Sequence, residues 1–290
     1  MHLNDDSRLA WAQFICNTSN AGHAERVLHG SDIDSHVSAC WASAQATAGR
    51  IQQDIGPLNP KKILEVGAST GLNSYALAQF YPDADVIGIE PEEQAVAVAN
   101  SMKQVWPNFL PVFEAGYGEA LPLDDASVDL IICHTVIEHV RDVPKVIAEM
   151  SRVLALGGVI HLEAPNYIWP YEPHLGVWCV PLFGKAFVRT CARLQGKGNM
   201  LDFLNHLQFV HPKMLENLFT RHGLAIENRA TRKIAAAFSG NTKDVKAYKK
   251  LATVMHAASF LGFGRFMTHV LVKLGFYPSV LYTLRKDSRT

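Results

Sequence analysis

Ile63-Leu64-Glu65-Val66-Gly67-Ala68-Ser69-Thr70-Gly71 is followed by Val86-Ile87-Gly88-Ile89-Glu90. The first stretch is an apolar strand running into a tight turn of small residues. A helical pattern comes next, and then a second strand that ends on an acid. In a doubly wound sheet this arrangement suits a nucleoside-like ligand: small residues let the backbone come close, and the acid takes ribose hydroxyls.

The turn admits three readings. It is a nucleotide-type turn, a tight strand-to-helix connection, or a hydrolase nucleophile elbow, since Gly67-Ala68-Ser69-Thr70-Gly71 matches G-x-S-x-G. Context favours the first. The turn follows what reads as the first strand of the sheet, whereas an elbow comes later and needs an oxyanion contributor upstream. Glu90 has a use in the first reading and none in the elbow. The glycine spacing is not G-x-G-x-x-G, which argues against a nicotinamide enzyme.

Outward from this turn the pattern alternates. Strands are expected at 62–66, 85–90, 109–113, 128–133 and 158–164, with helices at 71–80, 92–105 and 142–154. Short apolar runs between helical segments indicate a parallel sheet. Gly157-Gly158 is expected to stop the helix before the fifth strand. Residues 1–60 read as helical, with Leu9, Trp11, Phe14 and Ile15 as one apolar patch and a second helix from Asp34 to Ile55. Residues 166–210 break the rhythm and are rich in Pro, Gly, His and aromatics, as binding insertions often are. A helix (212–222), a strand (224–232), a helical stretch (243–275) and a last strand near 279–285 complete the chain.

The bulk properties exclude several classes. The 290 residues are 48% hydrophobic and 19% charged, enough for a large core and unlike a disordered chain. Lys+Arg and Asp+Glu each total 27, so no basic footprint for nucleic acid is present. Five scattered cysteines lack metal spacing and read as reduced thiols. No signal peptide or membrane-spanning run is read from the sequence, and a cytoplasmic location is expected.

With these motifs in order, the chain resembles class I S-adenosylmethionine-dependent methyltransferases, in the group that includes ubiquinone and menaquinone biosynthesis enzymes. The likeness runs from about 61 to 166. It rests on the 63–71 motif, on Glu90, on Glu119-Ala120-Leu121-Pro122-Leu123-Asp124-Asp125-Ala126-Ser127-Val128-Asp129, on Glu138-His139-Val140, and on Leu154-Ala155-Leu156-Gly157-Gly158. The resemblance implies a Rossmann-like seven-stranded sheet of order 3-2-1-4-5-7-6 with the last strand antiparallel. The organisation expected is a helical cap at 1–60, a cofactor-binding core at 61–165, an acceptor-site insertion at 166–210, and a sheet-completing segment at 211–290.

The resemblance also implies roles. Glu65 orients the cofactor's ammonium; Gly67, Ala68, Ser69 and Gly71 admit its carboxylate and ribose; Glu90 bridges the ribose hydroxyls. Pro91 joins Glu90 among the cofactor-binding residues, Tyr117, Gly118 and Glu119 flank adenine, and Cys133 and His134 lie near the methyl-transfer point. Two departures stand out. Ser69 replaces a glycine, and Gly116-Tyr117-Gly118-Glu119 lacks the Asp that contacts adenine in relatives, which suggests stacking by Tyr117. Some relatives bind a metal through Glu-x-x-Glu-His, but here Thr135 replaces the first acid, so no metal is expected. Glu138 and His139 alternatively cap the 142–154 helix.

Trp169, Tyr171, Glu172 and His174 follow the fifth strand, where ligands of parallel sheets bind, and are read as acceptor contacts or else as a packed aromatic loop. The expected reaction is methyl transfer to a small-molecule or lipid-linked acceptor, on oxygen, with His134, His139 and His174 as candidate bases. A non-catalytic cofactor-binding subunit, and a serine hydrolase using Ser69, are the alternatives. The mixed apolar and basic 243–275 stretch is a candidate for peripheral contact with the inner face of a membrane, or for packing on the core or on a second subunit.

Overall fold

The computed structural model describes residues 3–18, 33–232, 234 and 264–287. Seven strands form one sheet in the order β3-β2-β1-β4-β5-β7-β6. They are β1 (Lys62–Val66), β2 (Asp85–Glu90), β3 (Val112–Ala115), β4 (Val128–His134), β5 (Leu154–Pro165), β6 (Leu224–Asn228) and β7 (Ser279–Lys286). β1 pairs in parallel with β2 and β4, and β2 with β3, while β6 and β7 pair antiparallel. The order and the antiparallel last strand are as the resemblance implied.

The helices are α1 (Asp5–Thr18), α2 (Ile33–Ile55), α3 (Leu72–Phe80), α4 (Glu93–Ser101), α5 (Val143–Val153), α6 (Lys185–Leu194), α7 (Pro212–Arg221) and α8 (Gly264–Lys273). Of the predicted stretch 243–275, residues 243–263 lie outside the described residues, and α8 accounts for most of the rest. The chain divides into two compact units. One comprises Met1–Cys133 with Glu149–Ile160, the other His134–Ala148 with His161–Thr290.

In the first unit the core gathers Ile63, Leu130, Ile132 and Val159 of the strands with Tyr75, Leu77, Val98 and Ala99 of the helices. Helix α1 joins it through buried Trp11 and Ile15. The Trp11 indole approaches Met102 Sδ at 3.3 Å, and Ser7 Oγ donates to Ser101 O at 3.1 Å, tying α1 to the end of α4. Leu9 of the predicted patch points outward, 59% exposed, while Leu3 is buried in its stead. In the second unit Val177, Val188, Ala192, Leu204 and Leu207 form a small apolar cluster within the aromatic insertion.

Of the boundaries that differ from the sequence expectation, three have a clear local reason. The third strand is Val112–Ala115 rather than 109–113. Phe109 N closes a turn on Trp106 O (3.1 Å), and Pro111 has no N–H to give a ladder. Gly157-Gly158 do not stop a helix: α5 already ends at Val153, and both glycines lie inside β5, Gly157 with φ 77°. β6 ends at Asn228 instead of 232, because Asn228 Oδ1 accepts from Ala230 N at 2.9 Å and turns the chain out of the sheet.

Candidate active site

In the first unit, the turn after β1 folds onto the end of β2. The N–H groups of Gly67 and Ala68 both donate to Ile89 O, at 2.8 and 3.1 Å. Ser69 then adopts φ 47° and Gly71 φ 78°, left-handed values that reverse the chain and launch α3. A serine in place of the family's glycine is therefore held in a conformation that costs an L-residue about 1 kcal/mol or more. Ser69 N donates to Glu90 Oε2 at 2.8 Å, and Glu92 N donates to Glu90 Oε1 at 3.0 Å. The carboxylate at the end of β2 is thus fixed by one backbone donor on each oxygen.

Close packing enforces this shape. A Cβ on Gly88 would lie 2.7 Å from Ala68 Cβ and 2.6 Å from the Phe113 ring, and one on Gly71 would lie 2.6 Å from the same ring. Gly88 and Phe113 were not singled out from the sequence. A lone glycine inside an apolar strand is the signal that marks such an approach.

Glu65 lies in β1, only 3% exposed. Burial pushes its carboxyl up to about 7, Ser74 and Asn73 offset part of the rise, and Glu90 adds slightly to it. Ser74 Oγ donates to Oε2 at 2.5 Å and Asn73 Nδ2 to Oε1 at 3.1 Å, so α3 holds the acid in place. The loop after β3 begins with Gly116 N donating to Glu90 O (3.1 Å), and leaves Tyr117 half exposed and Glu119 partly buried. Pro91 is exposed. Cys133 is fully buried in β4, in register with Val66, and the next residue in the chain is His134.

In the second unit, His134 Nε2 lies 2.7 Å from His161 Nδ1. His161 is in β5 and 2% exposed. It was not singled out from the sequence, where it stands in the apolar run Val159-Ile160-His161-Leu162. That solitary polar residue is the signal.

A second cluster joins two distant stretches. Glu138 is fully buried, and among the described residues its carboxylate oxygens have no hydrogen-bond partner. His139 Nε2 lies 3.7 Å from Glu138 Oε1. Burial pushes Glu138 up to about 7; His174 opposes the rise, and Glu163 and Glu172 add to it. Burial and His174 push His139 down to about 4, against the pull of Glu172. Near neutral pH this pair is therefore not an ion pair. These two residues sit in a turn, His139 N to Val136 O at 2.8 Å, and do not cap α5. Asp142 does so, its Oδ1 accepting from Lys145 N at 3.0 Å.

Glu172 is also fully buried and organises its own loop. It accepts from His174 Nδ1 (2.7 Å), His174 N (3.2 Å) and Leu175 N (2.6 Å). The rings of His139 and His174 stand edge to face at 4.9 Å, and Phe203 packs on both. Trp169 is buried against Phe276, whereas Tyr171 is partly exposed beside Trp178. Glu138, His139 and His174 bring one donor atom each within 4.8 Å of one another. One carboxylate and two imidazoles suit a borderline cation better than magnesium.

Residues 64–162 match the family model described as a methyltransferase domain. With the strand order, that match makes this segment a class I S-adenosylmethionine-dependent methyltransferase domain, and S-adenosylmethionine is the cofactor of its class. Among characterised relatives, the chain is 31% identical over 106 residues to a malonyl-[acyl-carrier protein] O-methyltransferase of Xylella fastidiosa, covering 37% of this chain and 35% of that one. It is 30% identical over 173 residues to norajmaline N-methyltransferase of Rauvolfia serpentina, covering 53% of this chain and 58% of the relative. The chain therefore spans only part of these relatives. The crystal structure of YcgJ from Bacillus subtilis superposes with a TM-score of 0.51 at 19% identity, over 84% of this chain and 99% of that one, which is a likeness of fold.

Proposed function

We propose that the protein transfers a methyl group from S-adenosylmethionine to an oxygen of a small-molecule or lipid-linked acceptor. The observation that carries this reading is the Glu90 carboxylate held by two backbone donors beside a left-handed turn. A pre-oriented acid at that point suits two vicinal ribose hydroxyls, because its remaining lone pairs are already aimed. Glu65 supports the reading independently. A buried carboxyl pushed up to about 7 lacks a cation, and the cofactor's ammonium is one that would compensate it.

The cofactor would supply an activated methyl on a sulfonium. The chain's own residues then have three tasks. Glu65 receives the ammonium, directly or through water. Gly67, Ala68, Ser69 and Gly71 let the backbone come close to the carboxylate and ribose, and the start of α3 favours the carboxylate. Pro91, Tyr117, Gly118 and Glu119 flank the adenine, with Cys133 and His134 toward the methyl. A hydroxyl acceptor must lose a proton, and His134 is the base we favour, since its hydrogen bond to His161 holds the ring at the end of β4. His139 is neutral at neutral pH and is the second candidate. His174 is bound to Glu172 and serves the loop first. Trp169, Tyr171, Glu172 and His174 shape the acceptor side. The named relatives are O- and N-methyltransferases, so acceptor and atom are part of the proposal.

Calorimetric titration with S-adenosylhomocysteine tests it. Micromolar binding by the wild type is expected, weakened at least tenfold in Glu90→Ala, by about 1.5–3 kcal/mol for charge-assisted hydrogen bonds. Folded wild type that does not bind would overturn the cofactor assignment. Ser69→Ala should change binding little, whereas a hydrolase would lose all activity.

A further inference from the structure

The aromatic insertion carries a surface that the methyl-transfer reading does not use. Trp178 is 54% exposed, Phe183 73%, Phe187 40% and Leu194 83%. Phe183 and Phe187 touch edge to face at 5.4 Å, and Phe187 and Leu194, seven residues apart on α6, share one flank of that helix. Gln195 exchanges hydrogen bonds with the Trp178 backbone at 2.9 and 3.0 Å, which brings Trp178 to the same end of α6 as Leu194. Val188 and Ala192 face inward, so α6 is anchored and still presents large apolar groups outward.

The charged residues between Glu172 and Asp202 all have one sign. Lys185, Arg189, Arg193 and Lys197 fall within this segment, and the sequence holds no acid between Glu172 and Asp202. Glu172 is fully buried and committed to its own loop. Lys185 donates to Asn205 O at 2.8 Å, Arg189 to the Asn205 side chain and Lys197 to Gly176 O. These partners are neutral, so the positive charge is not cancelled by them.

We propose that the segment around α6 is a docking surface for an anionic lipid bilayer, with Phe183, Phe187 and Leu194 entering the interface and the four cations meeting lipid headgroups. Exposed apolar side chains beside basic ones are what an interfacial helix needs, and each cation near an anionic surface adds to the attraction. A second copy of the chain fits less well. A two-fold contact would set this surface against itself, bringing cations onto cations with no acid between them. The site differs from the basic stretch at 243–250 and stands independently of the methyl acceptor.

The test is co-sedimentation of the full chain with vesicles of mixed phosphatidylglycerol and phosphatidylcholine, against phosphatidylcholine alone. Salt-sensitive binding to the anionic vesicles is expected. The double variant Arg189→Gln/Arg193→Gln should weaken it by roughly thirtyfold. Phe183→Ser/Phe187→Ser should weaken it at least about tenfold; Phe183, Phe187 and Arg193 are exposed and Arg189 is partly exposed, so folding should survive. A third variant, Lys246→Gln/Lys249→Gln/Lys250→Gln, should bind within about twofold of wild type. Three results would overturn the proposal. One is no anionic-vesicle binding by folded wild type. Another is loss of binding in the third variant alone. The last is a dimer in analytical ultracentrifugation that Phe183→Ser/Phe187→Ser dissociates.

Discussion

Replacing Glu138 by glutamine should stabilise the protein at alkaline pH and leave it nearly unchanged in acid. The carboxyl is fully buried and faces His139, His174, Tyr167, Glu163 and Glu172, and burial raises it from 4.5 to about 7. A folded state that keeps a proton the unfolded chain releases loses stability as pH rises from 4.5 toward 7, and the loss is complete above that. At about 1.4 kcal/mol per pH unit the full loss is on the order of 3 kcal/mol. Glutamine keeps the shape without the charge and escapes it. His139 acts with the opposite sign: lowered from 6.5 to about 4, it favours the folded state as pH rises through that interval. Burial, His174 and Glu172 set that shift and are common to both proteins, so it largely cancels in their difference. Urea unfolding of both at pH about 4 and about 8.5 measures the effect: a difference near zero in acid and about 3 kcal/mol in favour of glutamine in base. Equal differences at the two pH values would refute the protonation argument. A glutamine variant less stable at both would show that the carboxylate is ionised and held by a cation, for which Glu138, His139 and His174 are the donors at hand.

Two further substitutions probe the first unit. Gly88→Ala should destabilise by about 1–3 kcal/mol, since its methyl would lie within 2.7 Å of Ala68 and Phe113, and weaken cofactor binding by shifting Ala68; thermal melts and calorimetry check both. Arg152 holds the segment before β4, donating to Leu121 O (3.0 Å), Leu123 O (2.8 Å), Asp125 Oδ1 (2.7 Å) and both oxygens of Glu149 (2.8 Å each). Arg152→Ala should cost about 1–3 kcal/mol and speed hydrogen exchange chiefly over 119–127.

The parts legible in the sequence were those whose cause is local. A strand, a small-residue turn, a helix and an acid-ended strand follow one another without help from the rest of the chain, so Glu65, Ser69 and Glu90 were found in order. Where a residue's meaning depends on a distant partner, the sequence misled or stayed silent. Glu172 left two readings open, an acceptor contact or a packed aromatic loop, and only the fold shows it fully buried with its oxygens on His174 and Leu175. Glu138 and His139 read as a helix cap, but the companion that perturbs both is His174, thirty-five residues further on (174 less 139). Leu9 shows the same limit in a helix: it fits the apolar pattern, yet nothing among the described residues covers it.

Glu65 links stability to function through one proton. With no cation beside it, the carboxyl titrates near 7, so below that pH the site is mostly protonated. The proposed cofactor brings an ammonium, which favours the ionised form and must displace the proton. Binding of S-adenosylhomocysteine should therefore release up to one proton as pH falls below about 7, and affinity should decline by as much as tenfold per pH unit there. Ser74 and Asn73 sharpen the effect, because they hold the carboxylate for the ligand and cannot supply the missing charge. Calorimetry in buffers of differing ionisation heat counts the protons directly. Glu65→Gln should bind more weakly near neutral pH, release no proton, and lose the pH dependence. If the variant released the same proton as the wild type, the coupling would belong to another group, and the assignment of Glu65 to the ammonium would fail.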